Sequence, residues 1–157
     1  MKPKIYLKTT IVSYLTAKPR KDLVVAAHQQ ITQEWWDTRL QNFDIFISEL
    51  VVREAGAGDK TAATKRLETL KELPLLELNE EVLSLANELV QGGPIPESAK
   101  EDVLHIALAT VHGMDYILTW NCRHLANAEM RTGITSVCIS QGYEAPVICT
   151  PEELMGE

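Results

Sequence analysis

Residues 5–10 read Ile5-Tyr6-Leu7-Lys8-Thr9-Thr10, three apolar residues followed by a lysine and two hydroxyls. The apolar triplet reads as a short buried strand, and Lys8 falls where that strand ends. The same grammar recurs along the chain. Asp44 to Ile47 (Asp-Ile-Phe-Ile), Leu75 to Leu78, Tyr116 to Trp120 and Val147 to Cys149 are short apolar runs of strand type. Between them lie segments of helical periodicity. Leu23, Ala26, Ala27, Ile31 and Trp35 recur at helical spacing, and Asp22 to Asn42 reads as one long helix. Ser48 caps a helix carrying Leu50, Val51 and Glu54, stopped by Gly56 and Gly58. Asp59 starts a helix running to about Leu73. Asn79 starts another, closed by Gly92-Gly93-Pro94. Ser98 and Glu101 have capping-box spacing and open a helix through Ala109 to Gly113. A further helix is expected near Cys122–Arg131. Thr150-Pro151-Glu152-Glu153 caps a last turn, with proline at its first position.

Strands separated by helices pair in parallel through right-handed crossovers, which predicts a three-layer α/β/α sandwich. The chain shows no linker or repeat, so residues 1–157 are expected to fold as one domain. Functional groups in such a sheet collect past the C-terminal strand ends. Lys8 follows the first strand and Asn121 follows Tyr116–Trp120, while Glu54 and Asp102 lie on intervening helices. Four polar residues from distant positions are therefore expected at one edge.

Bulk properties narrow the function classes. Hydrophobic residues make up 45% of the 157, enough for a core. No apolar run is long enough to span a membrane, and the N-terminus lacks the apolar core of a signal peptide. The three cysteines, Cys122, Cys138 and Cys149, form no C-x-x-C pair and are odd in number, which suits a reducing, cytoplasmic compartment. A net charge of −7 argues against general coating of nucleic acid. The bases are unevenly spread, however. Residues 1–21 hold Lys2, Lys4, Lys8, Lys18, Arg20 and Lys21 and no acid. This reads either as a solvated terminus or as a phosphate-steering patch beside the carboxylates.

Four stretches in order carry a resemblance: Ile-Tyr-Leu-x-Thr-Thr at the start, Ser48-Glu-Leu-Val-Val-Arg-Glu54, Asp102-Val-Leu-His-Ile-Ala-Leu-Ala109, and Leu118-Thr-Trp-Asn121. Together they resemble the successive motifs of PIN-domain proteins, and most closely the VapC-like ribonuclease toxins of type II toxin–antitoxin pairs. The resemblance implies a PIN-like fold with a mostly parallel central sheet, and divalent-metal-dependent cleavage of single-stranded or structured RNA. It also implies a restraining antitoxin protein and a homodimer, for which Trp35-Trp36 offers surface. In that family carboxylates hold Mg²⁺ or Mn²⁺, hard cations that prefer oxygen ligands. Carried over by position, Glu54 matches the second acid, Asp102 the third and Asn121 the fourth. Lys8 matches the first in position but not in charge.

That exchange changes the local charge by two. The three ammonium donors of Lys8 can bridge Glu54 and Asp102 directly. Metal binding is then weakened or lost, and the alternative is a catalytically inactive PIN-like domain that binds RNA or protein without a cofactor. If Lys8 instead swings to solvent and grips phosphate, a single metal on Glu54 and Asp102 still works. Thr9 and Thr10 place hydroxyls where they can bind water or phosphate, and Arg123, with His124, is either a phosphate contact or part of a solvated helix face. Each residue also has a plainer use. Asp102 suits the first turn of a helix, Asn121 can cap the next one, and Glu101 serves the capping box. His105, three residues after Asp102, can reach the site but reads first as a structural histidine.

Overall fold

The structure is a computed structural model that describes residues 1–92, 95, 99–121 and 128–156. Its elements, in chain order, are β1 (Lys4–Leu7), α1 (Thr9–Thr16), α2 (Leu23–Thr38), a 3₁₀ turn (Leu40–Asn42), β2 (Asp44–Ser48), α3 (Glu49–Ala55), α4 (Lys60–Leu70) and β3 (Leu75–Leu76). There follow α5 (Glu80–Gln91), α6 (Lys100–Val111), β4 (Tyr116–Leu118), α7 (Ala128–Ser140), β5 (Val147–Cys149) and a closing 3₁₀ turn (Pro151–Leu154). The strands form one sheet in the order β3-β2-β1-β4-β5, every pairing parallel. β1 is central, with Tyr6 opposite Phe46 on β2 and Ile117 on β4. All C-terminal strand ends therefore point to one edge.

The caps explain the helix starts. Asp22 accepts hydrogen bonds from the Val24 and Val25 amides, both at 3.0 Å. Asp59 accepts from Ala62, and Asn79 accepts from Val82. Thr150 and Glu153 form the capping box read from the sequence. Gly113, at φ +72°, turns the chain from α6 into β4 in a conformation that a Cβ would strain. The core is drawn from both sheet faces. Ile5, Tyr6, Leu7, Ile117 and Leu118 are inaccessible, and α6 is buried along Val103 and from His105 to Thr110.

Several boundaries differ from the sequence reading. The periodicity names no helix at Thr9–Thr16, because Ile11-Val12 continues the β-branched character of the strand and no side chain caps the turn. The segment to Asn42 is helical only to Thr38 and then tightens to 3₁₀. α4 ends at Leu70, β3 has two residues and β4 stops at Leu118. Ala99 stands at the N-cap of α6 with no side-chain bond, and Ser98, Gly93 and Pro94 lie outside the described residues. α7 runs nine residues past Arg131. Trp35 is fully buried and stacks against Phe43, so of the tryptophan pair only the half-buried Trp36 has surface to offer a partner. Cys138 and Cys149 are free and buried, while Cys122 lies outside the described residues. No helix among the described residues is long and apolar enough to cross a membrane.

Candidate functional site

Strand alternation puts Tyr6 and Lys8 on the same face of β1. Helical spacing puts Asp102 and His105 on one face of α6. These two rows meet, and the last turn of α3 adds Glu54. Lys8 Nζ lies 3.6 Å from Asp102 Oδ1, with the two side chains 6% and 16% exposed. That is an ion pair rather than a tight hydrogen bond. Glu54 is held separately. Its Oε1 accepts from the Thr9 hydroxyl at 2.5 Å, and its Oε2 lies 2.9 Å from His105 Nε2. Behind it, Tyr6 Oη lies 2.6 Å from both His105 Nδ1 and Ser48 Oγ.

Lys8 therefore faces inward, and its ion pair is with Asp102. Glu54 is engaged by Thr9 and His105 instead of being bridged by the lysine. Thr10 is used by the scaffold. Its hydroxyl accepts from the Trp120 amide at 3.0 Å and lies 3.3 Å from Thr119 Oγ1. Asn121 stands where β4 runs out, its amide donating to Thr119 Oγ1. Arg123 and His124 lie outside the described residues. The six N-terminal bases do not form one patch. Lys2 and Lys4 are at the opposite end of β1, Lys8 is buried, and Lys18, Arg20 and Lys21 are exposed between α1 and α2. Gln29 pins that loop, its Nε2 donating to the Lys18 carbonyl and its Oε1 accepting from the Arg20 amide.

Tyr6 is the site residue the sequence conceals, and His105 is one whose reach to the site is visible while its partner, Glu54, is not. Tyr6 sits inside an apolar strand and reads as core, and His105 reads as structural. The available signal is chemical: a buried phenol and a buried imidazole both need partners.

The electrostatics follow from burial and proximity. Burial pushes the Lys8 ammonium below the usual lysine value, opposed by the nearby carboxylates of Glu54 and Asp102. Burial also lowers His105, the Lys8 charge adds to that, and the bond to Glu54 opposes it. The Tyr6 phenol is pushed well up, chiefly by burial. For Glu54, burial pulls upward but is outweighed by the His105 hydrogen bond and the fields of His105 and Lys8, leaving the carboxyl at about 2. The imidazole acts as a charge only when protonated, so at neutral pH its hydrogen bond and Lys8 remain.

A depressed carboxyl pKa supplies stability above its unfolded value that is lost as pH falls through the folded one. Glu54 should therefore contribute stability at neutral pH that declines as pH falls from about 4.5 toward about 2. Urea unfolding of wild type and Glu54→Gln across that range checks this. The stability gap is expected to narrow as pH falls, and a constant gap would contradict it.

These residues do not fit a Mg²⁺ or Mn²⁺ ion. Both Glu54 oxygens already accept hydrogen bonds, and Asp102 faces a buried ammonium. Among the described residues no three His, Cys, Asp or Glu side chains converge to hold a metal. Hard cations need free, anionic oxygen ligands, and here the protein's own cation stands among them.

No family model matches the chain, and no curated protein sequence does. Solved structures do. A chain of VapBC2 from Rickettsia felis, solved bound to a DNA fragment from their promoter, superposes with a TM-score of 0.58 at 16% identity, covering 94% of this chain and 98% of that one. A chain of VapBC-1 from nontypeable Haemophilus influenzae also gives 0.58 at 16% identity, covering 95% and 98%. Identity at this level speaks to fold alone. The chain thus has a PIN-like α/β/α fold, shared along nearly its whole length with chains of these two VapBC structures.

Proposed function

We propose that this chain is a toxin-type PIN-like domain that engages single-stranded RNA at its carboxylate edge, and that Lys8 takes the place of a divalent cation there, suppressing metal-dependent hydrolysis. The observation that carries this reading is Lys8, 5% exposed, with its ammonium 3.6 Å from Asp102. An unpartnered pair of carboxylates repels a phosphodiester. One resident positive charge halves that negative charge and lets a phosphate approach. Lys18, Arg20 and Lys21 are exposed in the loop that follows α1, the helix that starts at this edge, and offer further counter-charge to a phosphate backbone. The restraining partner is an antitoxin-type protein, in keeping with the VapBC assemblies that share the fold.

The test compares wild type, Lys8→Asp and Asp102→Ala on single-stranded RNA with Mg²⁺ or Mn²⁺, scoring both binding and cleavage. Wild type is expected to bind RNA without metal-dependent cleavage. Lys8→Asp is expected to gain cleavage by roughly 10- to 100-fold, the scale carried by residues that shape a metal site. Cleavage by wild type that Asp102→Ala abolishes would overturn the reading, because Lys8 would then be compatible with an active metal centre.

A further inference from the structure

The buried polar row behind Glu54 begins and ends on the same helix. Ser48 caps the first turn of α3, accepting from the Val51 amide at 3.4 Å, and Glu54 lies in the last turn. Between them the row crosses β1 at Tyr6 and α6 at His105. Ser48, Tyr6 and His105 are at most 1% exposed, so water does not settle their hydrogens.

Three proton arrangements exist for the imidazole, and the neighbours select one. If only Nδ1 carried hydrogen, Nε2 would face Glu54 Oε2 lone pair to lone pair at 2.9 Å. If both nitrogens carried hydrogen, Nδ1–H would donate to Tyr6 Oη and Tyr6 O–H to Ser48 Oγ. The Ser48 hydrogen would then lack an acceptor among the described residues. With Nε2–H alone, every hydrogen is spent. The Val51 amide donates to Ser48, Ser48 to Tyr6, Tyr6 to His105 Nδ1, and His105 Nε2–H to Glu54. All donors point toward the carboxylate, and aligned hydrogen bonds in a low-dielectric interior polarise one another.

The geometry points to Tyr6 and His105 as positioning residues that hold the Glu54 carboxylate in one orientation through a one-way hydrogen-bond relay from the first turn of α3. The proposal rests on the reading of this edge as the RNA-facing site, since it says what keeps Glu54 aimed there. The relay is neutral and separate from the Lys8–Asp102 pair. Thr9 donates to the other carboxylate oxygen, so Glu54 is fixed at two points.

The test is ¹⁵N-imidazole and ¹³C-carboxyl NMR at pH 7, with His105 assigned among the four histidines by its loss in His105→Gln. Wild type is expected to show Nδ1 unprotonated and Nε2 protonated in a single tautomer. Tyr6→Phe, which keeps the ring and removes the hydroxyl, should leave Nε2–H in place, because Glu54 still excludes the other tautomer, but should shift the His105 Nδ1 resonance, which loses its donor, and with it the Glu54 carboxyl resonance. Ser48→Ala leaves the last two links intact and should preserve the His105 tautomer, which guards against poor folding of the Tyr6 variant. His105→Gln retains a donor and should hold the Glu54 resonance nearer its wild-type position than His105→Ala does. A doubly protonated or Nδ1–H ring in wild type overturns the relay, as does a folded Tyr6→Phe protein with both resonances unmoved, because packing alone would give that result. None of these readouts involves RNA or metal, so failure of the RNA-binding reading leaves this outcome separately decided.

Discussion

Asp102→Ala is expected to destabilise the fold by about 3 kcal/mol, toward the lower end of the cost of breaking a buried ion pair. The figure follows from where the charge is left. Lys8 is 5% exposed at the end of the central strand, and its burial already works against the ammonium. Removing Asp102 leaves that charge with the field of Glu54, which is committed to Thr9 and His105, and the weaker field of Glu101. An exposed pair would cost less than about 1 kcal/mol, so the size of the effect reports on burial. For a chain of this length the loss corresponds to a fall in Tm of roughly 6–12 °C. Adding Lys8→Met should recover most of it, because the unpaired charge is then gone. Urea denaturation of the two single variants and the double variant gives the coupling directly, and strict additivity would show that the pair does not act as a unit.

The second large effect is a gain. Lys8→Asp removes the resident cation and adds a third carboxylate beside Glu54 and Asp102. Without divalent ions this protein should be less stable than wild type, since like charges are held together away from water. With Mn²⁺ at about 100 times its dissociation constant it should recover ~2.7 kcal/mol, because the ion binds only the folded state. Wild type should show no such response. Thermal unfolding of both proteins in chelator and in Mn²⁺ separates the cases. A wild-type Tm that rises with Mn²⁺ and does so less after Asp102→Ala would place a metal where Lys8 is argued to stand.

Much of the architecture can be read from local chemistry. The helix starts at Asp22, Ser48, Asp59 and Asn79 are set by side chains that accept from amides two or three residues on, and such short-range bonds are visible in sequence. The parallel order follows from strands separated by helices. α1 is not legible, because Lys8 provides no cap bond and the run Thr9–Val12 is β-branched throughout. Its helicity comes from tertiary packing, with Ile11 and Val12 buried and α2, α3 and α4 as its neighbours. The meeting of Lys8, Glu54 and Asp102 is legible for a topological reason: parallel strands send their C-terminal ends to one edge. How those residues divide into pairs is not. Whether Lys8 binds Asp102, Glu54 or both depends on which carboxylate His105 has already claimed. That is decided by a tyrosine 99 positions away whose hydroxyl needs a buried acceptor.

The central claim is that the ligand cluster is already filled by a lysine. Its most direct test is titration of wild-type protein with Mn²⁺, following the electron paramagnetic resonance signal of the free ion, beside Lys8→Asp as the positive control. Wild type is expected to leave the free-ion signal unchanged into the millimolar range while Lys8→Asp depletes it stoichiometrically. Stoichiometric depletion by wild type, lost in Asp102→Ala, would contradict it.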